Sequence, residues 1–319
     1  MLTRVCVVVI SYNSEATLAL CLEALGRQTF TDFHLLLIDN ASDKRPRSYL
    51  PALPYPHTFA DMEDNLGFAG GMAEAIDQTD SPLVAALNPD AFAEPTWLAE
   101  LVAAADQYPD VAAFGSLQRS AQDPTCIDGF GDHYLVTGQA WRGQSAPNDD
   151  QLAYSFGVCA AAALYRTGTV RSVGNFDRSF FCLYEDVDLS FRLRLAGYHC
   201  AVAPRAVVNH VGGASFKTRG ALLQSLIGRN QWWVLLKNMP LILLPLAIPG
   251  FFAVELLAAL RGHRPGSLRG LWEGVRRSGE VVAARRAAPR KISVAGLCRW
   301  LTWNPLAFLR KSSPVRRCP

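Results

Sequence analysis

The sequence predicts an α/β fold built around a mostly parallel sheet. Residues 4–11 and 33–38 are continuous apolar runs, as expected of strands buried on both faces. Between them, residues 15–28 form an amphipathic helical pattern with Leu18, Leu22 and Leu25 on one face. Strand, helix and strand make a βαβ unit, and its ligand site is expected at the carboxyl ends of the strands.

Polar residues follow both of these strands. Ser11 and Asn13 come at the end of the first strand, and Asp39 and Asn40 at the end of the second. An Asp in the position of Asp39 is suited to hydrogen-bond a nucleoside, although a turn residue is the better explanation of Asp39 taken alone. A nucleotide site at this edge of the sheet is therefore a hypothesis that the remaining segments must support.

Two further segments add phosphate chemistry. Residues 65–71 (NLGFAGG) lead into a helix ending near residue 78, and the glycines would let free backbone N–H groups approach a phosphate. Their spacing is not that of the dinucleotide motif GxGxxG. Residues 82–87 predict another buried strand, and Asp90, in the turn that follows it, suits a cation on a diphosphate.

The middle of the chain is less regular. We predict a helix at 95–108, a strand at 111–115 and an apolar segment at 156–165. The polar, glycine-rich residues 117–153 predict a short hairpin and a mobile loop over the site. Two short strands are expected at 199–203 and 207–210. His210 ends the second one, in a position where a lone histidine is more often structural than a ligand.

Residues 180–198 (FFCLYEDVDLSFRLRLAGY) hold the densest group of carboxylates. Glu185, Asp186 and Asp188 stand where an irregular aromatic segment becomes a helix, which is apolar on most of its surface and ends at Gly197. Carboxylates at the start of a buried helix are costly unless something neutralises or uses them. A metal ion or a substrate hydroxyl about to lose its proton would explain them, and an acidic N-cap is the alternative.

The charge is distributed unevenly. The formal net charge of +3 divides into −9 for residues 1–260 and +12 for residues 261–319. The apolar run at 241–260 precedes this basic tail and favours an anionic membrane as its partner. Three prolines and the positive-inside rule argue against one straight span. We predict a re-entrant or interfacial segment with both flanks cytoplasmic, with a buried core helix pair as the alternative.

The cysteines and the amino terminus point to the same compartment. The eight cysteines show neither a CxxC pair nor a Cys/His metal spacing, so reduced thiols of a cytoplasmic protein are expected. The first apolar run is too short for a signal peptide. No nucleic-acid reader motif accompanies the basic tail.

Seven motifs in order resemble one family: VVVISYNS, LLLIDNAS, NLGFAGG, LNPDA, GNFD, FFCLYEDVDLSFRLRLAGY and VNHVGGAS. The series resembles the family 2 inverting glycosyltransferases, and within them the bacterial rhamnosyltransferase-like branch that extends lipid-linked glycans. The resemblance covers about residues 5–237 and implies a GT-A fold with one continuous mixed sheet. Residues 1–115 would be the nucleotide-sugar-binding half, 116–237 the acceptor-binding and catalytic half, and 238–319 an apolar and basic membrane-associating extension.

The resemblance also implies residue roles. Asp186 would be the general base, supported by Glu185, and Asp90 with His210 would hold Mg²⁺ or Mn²⁺ on the diphosphate. Asn88 stands where the family's DxD motif has its first carboxylate, so the metal inference depends mainly on Asp90. The donor would be bound by Ser11, Asn13, Asp39, Asn40, Asn65, Gly67, Gly70, Asn88 and Asp90. The acceptor would be bound by Asp188, Arg229 and Trp232, the last with Trp233 either at the lipid headgroups or in the core.

The function that follows is transfer of a sugar to a hydroxyl of a polyprenyl-diphosphate-linked or cell-surface glycan, with dTDP-L-rhamnose as the preferred donor. UDP-galactose, UDP-galactofuranose and UDP-N-acetylhexosamine remain alternative donors. A catalytically silent nucleotide-sugar-binding module is the alternative of another class, and a nicotinamide-dependent oxidoreductase is remote without GxGxxG. The expected location is the cytoplasmic face of the plasma membrane, peripheral or monotopic, without nucleic acid and with oligomer formation left open.

Overall fold

The computed structural model describes residues 3–146, 150–212, 214–261, 266–285 and 289–310, with the side chains of 214–219 and 309 also left undescribed. Part of the predicted mobile loop (147–149), Gly213 of the VNHVGGAS motif and part of the basic tail, including 311–319, lie outside these ranges. The predicted loop and the basic tail can therefore be compared with the structure only over their described residues.

The described chain alternates strands and helices. The strands are β1 (Val5–Ser11), β2 (Phe33–Asp39), β3 (His57–Asp61), β4 (Leu83–Leu87), β5 (Ala91–Ala93), β6 (Val111–Ser120), β7 (Ile127–Gly129), β8 (Asp132–Tyr134), β9 (Ala140–Arg142), β10 (Ala153–Ser155), β11 (Ala162–Arg166) and β12 (His199–His210). The helices are α1 (Glu15–Gly26), α2 (Gly67–Gln78), α3 (Trp97–Gln107), α4 (Thr167–Ser172), α5 (Glu185–Leu195), α6 (Ala214–Asn238), α7 (Leu244–Leu260), α8 (Leu268–Arg276), α9 (Ser278–Ala284), α10 (Val294–Cys298) and α11 (Pro305–Leu309). Short 3₁₀ turns cover Pro46–Ser48, Arg178–Phe180 and Leu241–Leu243.

One continuous mixed sheet forms the centre, as predicted. Its strands run in the order β10, β12, β6, β11, β4, β1, β2, β3, and β5 and β7 pair with β12 and β6. Strands β4, β1, β2 and β3 are mutually parallel, so the ends of β1, β2 and β4 lie at one edge. Strand β11 runs antiparallel between β4 and β6 and joins the parallel part to the rest of the sheet. This arrangement brings polar residues from distant segments to the same edge.

Several predicted boundaries needed correction. The strands expected at 199–203 and 207–210 are one strand, β12, with an irregularity between Ala203 and Val207 where Pro204 cannot donate to the ladder. Strands β3 and β5 were not predicted. β3 is a largely exposed edge strand and β5 has three residues, so neither shows the apolar run of a buried strand.

The segment 117–153 is more ordered than its composition suggests. The predicted hairpin is present as β8 and β9, whose residues Tyr134 and Trp141 are buried. Tyr134 stacks on Phe156 and meets Phe191 of α5 edge-on. The prediction of a polar mobile loop is therefore wrong for this part of the segment, because aromatic side chains anchor the hairpin in the core.

The apolar segment 241–260 forms a 3₁₀ turn followed by the single helix α7, so the predicted re-entrant form is not seen. Pro245 sits in the first turn, where its missing N–H costs nothing, and Pro249 is accommodated inside the helix. Ala247, Phe251, Val254 and Ala258 form a buried stripe, while Leu246 and Leu256 on another face are exposed. By length and composition the segment could cross a membrane, although 22% of its apolar stretch is buried within the protein.

The described cysteines are all free thiols, as expected for a chain without disulfide spacing. The alternative prediction, a buried core helix pair, holds only in part, because the described residues leave one side of α7 uncovered.

Candidate active site

Two buried polar atoms lie at the carboxyl ends of β1 and β2. Ser11 and Asp39 are 0% and 2% exposed, and Ser11 Oγ and Asp39 Oδ1 have no hydrogen-bond partner within the described part of the chain. The other oxygen, Asp39 Oδ2, accepts from Arg45 Nη1 at 3.2 Å and from the Ser42 amide at 3.3 Å. A buried acceptor without a donor costs about 1–3 kcal/mol, which a ligand N–H or O–H would remove. The arrangement fits the predicted nucleoside contact.

Asn13 and Asn40 have their side chains occupied within the protein. Asn13 Nδ2 donates to Asp43 Oδ2 at 3.0 Å, and its Oδ1 accepts from the Asp43 amide at 2.8 Å. Asn40, 1% exposed, accepts from the Leu66 amide and donates to the Gly67 carbonyl. Both ends of the Asn40 amide thus tie β2 to the start of α2, and its contact with the donor stays a prediction.

The glycine segment 65–71 also differs from its prediction. Asn65 Oδ1 accepts from the Gly67 amide, and the Ala69 amide donates to the carbonyl of Phe181, so these N–H groups are not free for phosphate. A Cβ on Gly67, whose φ is +69°, would lie 2.2 Å from that carbonyl oxygen. Gly70 lies inside α2, where a Cβ would meet Leu66 at 2.7 Å. The glycines thus allow α2 to approach the segment before α5.

His210 is placed between two carboxylates. Its Nε2 lies 3.4 Å from Asp90 Oδ1, and its Nδ1 lies 2.8 Å from Asp128 Oδ2. The pairing of β12 with β5 sets His210 opposite Ala91, directly after Asp90, and the Val211 amide donates to the Asp90 carbonyl. Asp128 comes from β7, which pairs with β6. Three strands remote in sequence therefore build this group.

The two neighbouring carboxylates favour the protonated, positively charged form of His210. Burial would lower the pKa of His210, but hydrogen bonds to Asp128 and Asp90 outweigh it and raise the pKa to about 9. The bond from His210 holds the pKa of Asp128 below its usual range despite burial. A carboxylate on one ring nitrogen orients a histidine for a cation at the other nitrogen, and the ring would release that nitrogen's proton when the cation binds.

The donor set is incomplete for a cation held by protein alone. Among the described residues, no cluster of three or more His, Cys, Asp or Glu side chains is arranged to hold a metal ion. Asp90 Oδ1 and His210 Nε2 nevertheless face each other, and oxygen and imidazole ligands suit Mn²⁺ or Mg²⁺. These two side chains fit a cation that takes its remaining ligands from a diphosphate and water.

Asn88 supports this turn through its backbone. The Ala91 amide donates to the Asn88 carbonyl, and the Asn88 amide donates to the carbonyl of Ala161. The same segment also contacts Asp186, because the amide of Ala160 donates to Asp186 Oδ2 at 3.1 Å. Residues 160 and 161 therefore connect the turn that carries Asp90 with Asp186 through backbone hydrogen bonds.

Asp186 is the carboxylate at the start of α5 that remains partly exposed. Its Oδ1 accepts from the Val187 amide at 2.8 Å, and Oδ2 accepts from Ala160, so both oxygens are oriented by backbone donors. Arg142, half-buried, contacts Cys159 and Asp128 and lies within electrostatic reach of Asp186. Asp186 can accept a proton from a bound hydroxyl without leaving this position.

Two neighbouring carboxyl groups are buried and favour the neutral form. Burial, reinforced by the charge of Asp186, raises the pKa of Asp132 to about 7 and the pKa of Glu185 well above its usual value. Glu185 is 6% exposed, and its Oε2 has no partner in the described ranges. The prediction of a supporting role for Glu185 stays a prediction.

Asp188 faces the opposite way from Asp186. It is 0% exposed and forms ion pairs with Arg192 at 2.7 Å and Lys237 at 2.9 Å, while Asn238 donates to its Oδ1 at 2.8 Å. These partners hold the pKa of Asp188 below its usual range despite complete burial. Helix α5 thus turns Asp188 into a network with α6, and its contact with the acceptor stays a prediction.

The predicted acceptor residues of α6 are buried as well. Arg229, 7% exposed, donates to the carbonyls of Ser179 and Phe180 and stacks on Trp233. Trp232, 6% exposed, donates its Nε1 to Ser278 Oγ and packs on Phe251. The predicted headgroup position of the tryptophans is wrong, since α7, α8 and α9 cover this face, while acceptor binding by Arg229 and Trp232 stays a prediction. The core-packing alternative is the one observed.

Four site residues were missed by sequence reasoning: Asp128, Asp132, Arg142 and Asn230. The first three lie in the segment left without strand assignments, where DGFGD was the available signal. The position of Asp128 depends on the pairing of β7 with β6, which no local pattern reveals.

The continuous mixed sheet, with polar residues at the carboxyl ends of its parallel strands, is the architecture of the GT-A glycosyltransferases. The chain belongs to Glycosyl transferase family 2, whose sequence model matches residues 6–166, about half of the chain. The predictions of the family, the fold class and the enzyme class are thus confirmed.

Curated relatives agree with this family. The chain is 27% identical over 204 residues to galactofuranosyltransferase GlfT1 of Mycolicibacterium smegmatis, covering 60% of this chain and 66% of the relative. It is 28% identical over 236 residues to N-acetylglucosaminyl-diphospho-decaprenol L-rhamnosyltransferase of Mycobacterium tuberculosis, covering 64% and 75%. The alignment thus spans just under two thirds of the first relative's length.

Solved structures share the fold. GalNAc-T7 with UDP, GalNAc and Mn²⁺ superposes with a TM-score of 0.64 at 13% identity, covering 92% of this chain and 60% of that one. Mannosyltransferase PcManGT from Pyrobaculum calidifontis, in complex with GDP-Man and Mn²⁺, gives 0.52 at 16% identity, covering 94% and 87%. At these identities the likeness establishes the fold alone.

Proposed function

We propose that this glycosyltransferase transfers L-rhamnose from dTDP-L-rhamnose, with inversion, to a hydroxyl of a polyprenyl-diphosphate-linked glycan. The observation that carries the proposal is the position of Asp186, partly exposed and oriented by two backbone amides. The relation to the mycobacterial L-rhamnosyltransferase supports the donor and the acceptor class.

The chemistry follows from this position. Asp186 takes the proton of the acceptor hydroxyl as its oxygen forms a bond to the anomeric carbon of the donor sugar. The bond between that carbon and the diphosphate oxygen breaks, and its electron pair leaves with the nucleoside diphosphate from the opposite face. Asp39 and Ser11 hold the nucleoside. No covalent intermediate forms on the protein, so one displacement inverts the anomeric centre.

Asp90 and His210 are the residues that would hold a divalent cation. When bound, the cation neutralises charge on the departing diphosphate. Asp128 keeps the His210 ring in place through the bond to Nδ1. The structural neighbours solved with Mn²⁺ support this use of the site.

UDP-galactofuranose is the second candidate donor. The relation to GlfT1 supports it at an identity similar to that of the rhamnosyltransferase. The two candidates differ in both nucleotide and sugar, so direct competition between them separates the two proposals.

The C-terminal helices support a peripheral position on the membrane. Leu246 and Leu256 of α7 and Leu268 and Trp272 of α8 are more than half exposed, and the tail that follows α7 is strongly basic. The charged residue of the apolar run, Glu255, instead faces the protein and accepts from Gln139 and Gln231. We place the protein at the cytoplasmic face, where polyprenyl-linked acceptors and nucleotide sugars meet.

The test is donor turnover by the purified chain in detergent. dTDP-rhamnose, UDP-galactofuranose, UDP-galactose and UDP-N-acetylglucosamine are each supplied with Mn²⁺ and a polyprenyl-diphosphate-linked N-acetylglucosamine. We expect nucleoside diphosphate release from dTDP-rhamnose alone, dependent on the acceptor and abolished by EDTA. Consumption of UDP-galactofuranose would replace the donor. Binding of a donor without turnover would make the chain a silent nucleotide-sugar-binding module.

A further inference from the structure

The segment immediately before the catalytic helix has a strained backbone. Phe181, Leu183 and Tyr184 have φ values of +65°, +68° and +69°, although none is a glycine. Phe181 forms a tight three-residue turn in which the Cys182 amide donates to the Phe180 carbonyl at 2.8 Å. Such conformations persist only where the surroundings over-determine them, and here they end at Glu185 and Asp186.

One amide side chain holds this turn from inside the protein. Asn230 of α6 is 0% exposed, and its Nδ2 lies within 3.0 Å of the carbonyl oxygens of Phe180, Cys182 and Leu183. Its two hydrogens are therefore both used, and one is shared. Three carbonyl oxygens converge on the Asn230 amide nitrogen, and they would repel one another without a hydrogen-bond donor between them.

Arg229 fixes the orientation of that amide. Its Nε donates to Asn230 Oδ1 at 2.9 Å, and its Nη2 donates to the carbonyls of Ser179 and Phe180. On the opposite side, the Ala69 amide of α2 donates to the Phe181 carbonyl. The turn is thus held between α2 of the nucleotide-binding half and α6, which lies beyond the region matched by the family sequence model.

We infer that Asn230, oriented by Arg229, is a positioning residue that sets the place of the catalytic base Asp186 through the strained turn at 180–184. The inference rests on the proposed role of Asp186. Loss of the three donated bonds would let the turn relax to ordinary dihedrals and shift the start of α5. A displacement of about 1 Å in a reacting group is enough to cost about 100-fold in rate.

The test compares two buried asparagines on the same helix. Asn230→Ala and the isosteric Asn230→Asp remove the donors to the turn, while Asn238→Ala removes a bond to Asp188 and leaves the turn untouched. We expect the Asn230 variants to lose about 100-fold in kcat with the KM for the donor within about threefold. Asn238→Ala should lower the Tm while retaining wild-type kcat within about threefold.

Amide hydrogen exchange gives a readout independent of turnover. Both Asn230 variants should exchange faster in peptides covering 180–186, with 83–93 unchanged, whereas Asn238→Ala should leave 180–186 protected. Wild-type kcat in Asn230→Asp, or unchanged exchange at 180–186, would overturn the inference. If the wild-type protein turns over no donor, the proposed function fails, and the exchange data still decide whether Asn230 holds the turn.

Discussion

At the scale of single residues, α5 separates three carboxylates into three states. Asp186 is partly exposed and oriented by amides, Glu185 is buried with a raised pKa, and Asp188 is buried in ion pairs. Helical geometry explains part of this division, because Asp188 lies about 200° around the helix from Asp186, whereas Glu185 and Asp188, three residues apart, share a buried face. Composition showed an acidic cluster, whereas the fold leaves one of its members, Asp186, partly exposed.

Asp132 gives a pH dependence that can be measured. Its pKa is raised from 3.8 to about 7 by burial and by the charge of Asp186, so the folded state holds a proton that the unfolded state loses. Stability from this group is therefore present below about pH 4 and is lost as the pH rises to about 7. Relative to Asp132→Asn, the wild type should lose at most about 4 kcal/mol across this window.

Urea unfolding at pH 5 and at pH 8 checks this expectation. Asp132→Asn keeps the size of the side chain and cannot ionise at this position. The pH dependence of its stability therefore measures the contribution of all the other titrating groups. The stability difference between the two proteins should change in favour of Asp132→Asn at pH 8. The same difference at both pH values would show that Asp132 is ionised throughout.

At the scale of elements, α7 presents two contrasting faces. Its stripe of Ala247, Phe251, Val254 and Ala258 packs on the fold, while Leu246 and Leu256 are exposed. Pro249 interrupts one backbone bond without ending the helix. A helix with one covered and one uncovered apolar face suits a position along a membrane surface better than a fully lipid-surrounded span.

Charge placed on the uncovered face should weaken membrane binding. We expect Leu256→Asp to reduce co-sedimentation with anionic phosphatidylglycerol vesicles at least about tenfold, because a carboxylate opposes both burial and the surface potential. Leu20→Asp on α1, which is similarly exposed but far along the chain from the basic tail, is the matched control and should bind as the wild type does. Equal vesicle binding by both variants would exclude this face of α7.

The elements also show which predictions a sequence can support. Ser11, Asp39 and Asp90 could be proposed from the sequence because each ends or follows a buried apolar run within three residues. Asp128 and Asn230 were missed because their roles arise from a strand pairing and from a helix contact across about fifty residues or more. Arg229 was predicted to bind the acceptor because its sequence surroundings do not show the carbonyls that it binds.

At the scale of the whole molecule, the catalytic centre depends on parts beyond the matched region. The family sequence model matches residues 6–166, which include the donor edge and Asp90 but neither Asp186 nor His210. Helix α6 packs against α5 and α8, so the C-terminal helices are continuous with the support of the catalytic turn. The proposed donor edge, the proposed base and the exposed face of α7 are thus linked through α6.

The central claim is that Asp186 is the base of a glycosyl transfer, and the most direct measurement compares Asp186→Asn with Asp188→Asn. Asp188→Asn removes the buried negative charge that pairs with Arg192 and Lys237, and it should cost about 3–5 kcal/mol of stability. Asp186→Asn should retain the wild-type Tm and donor affinity, measured by calorimetry with the nucleotide sugar, while turnover falls at least about 100-fold. Retained turnover in a folded Asp186→Asn protein would contradict the account.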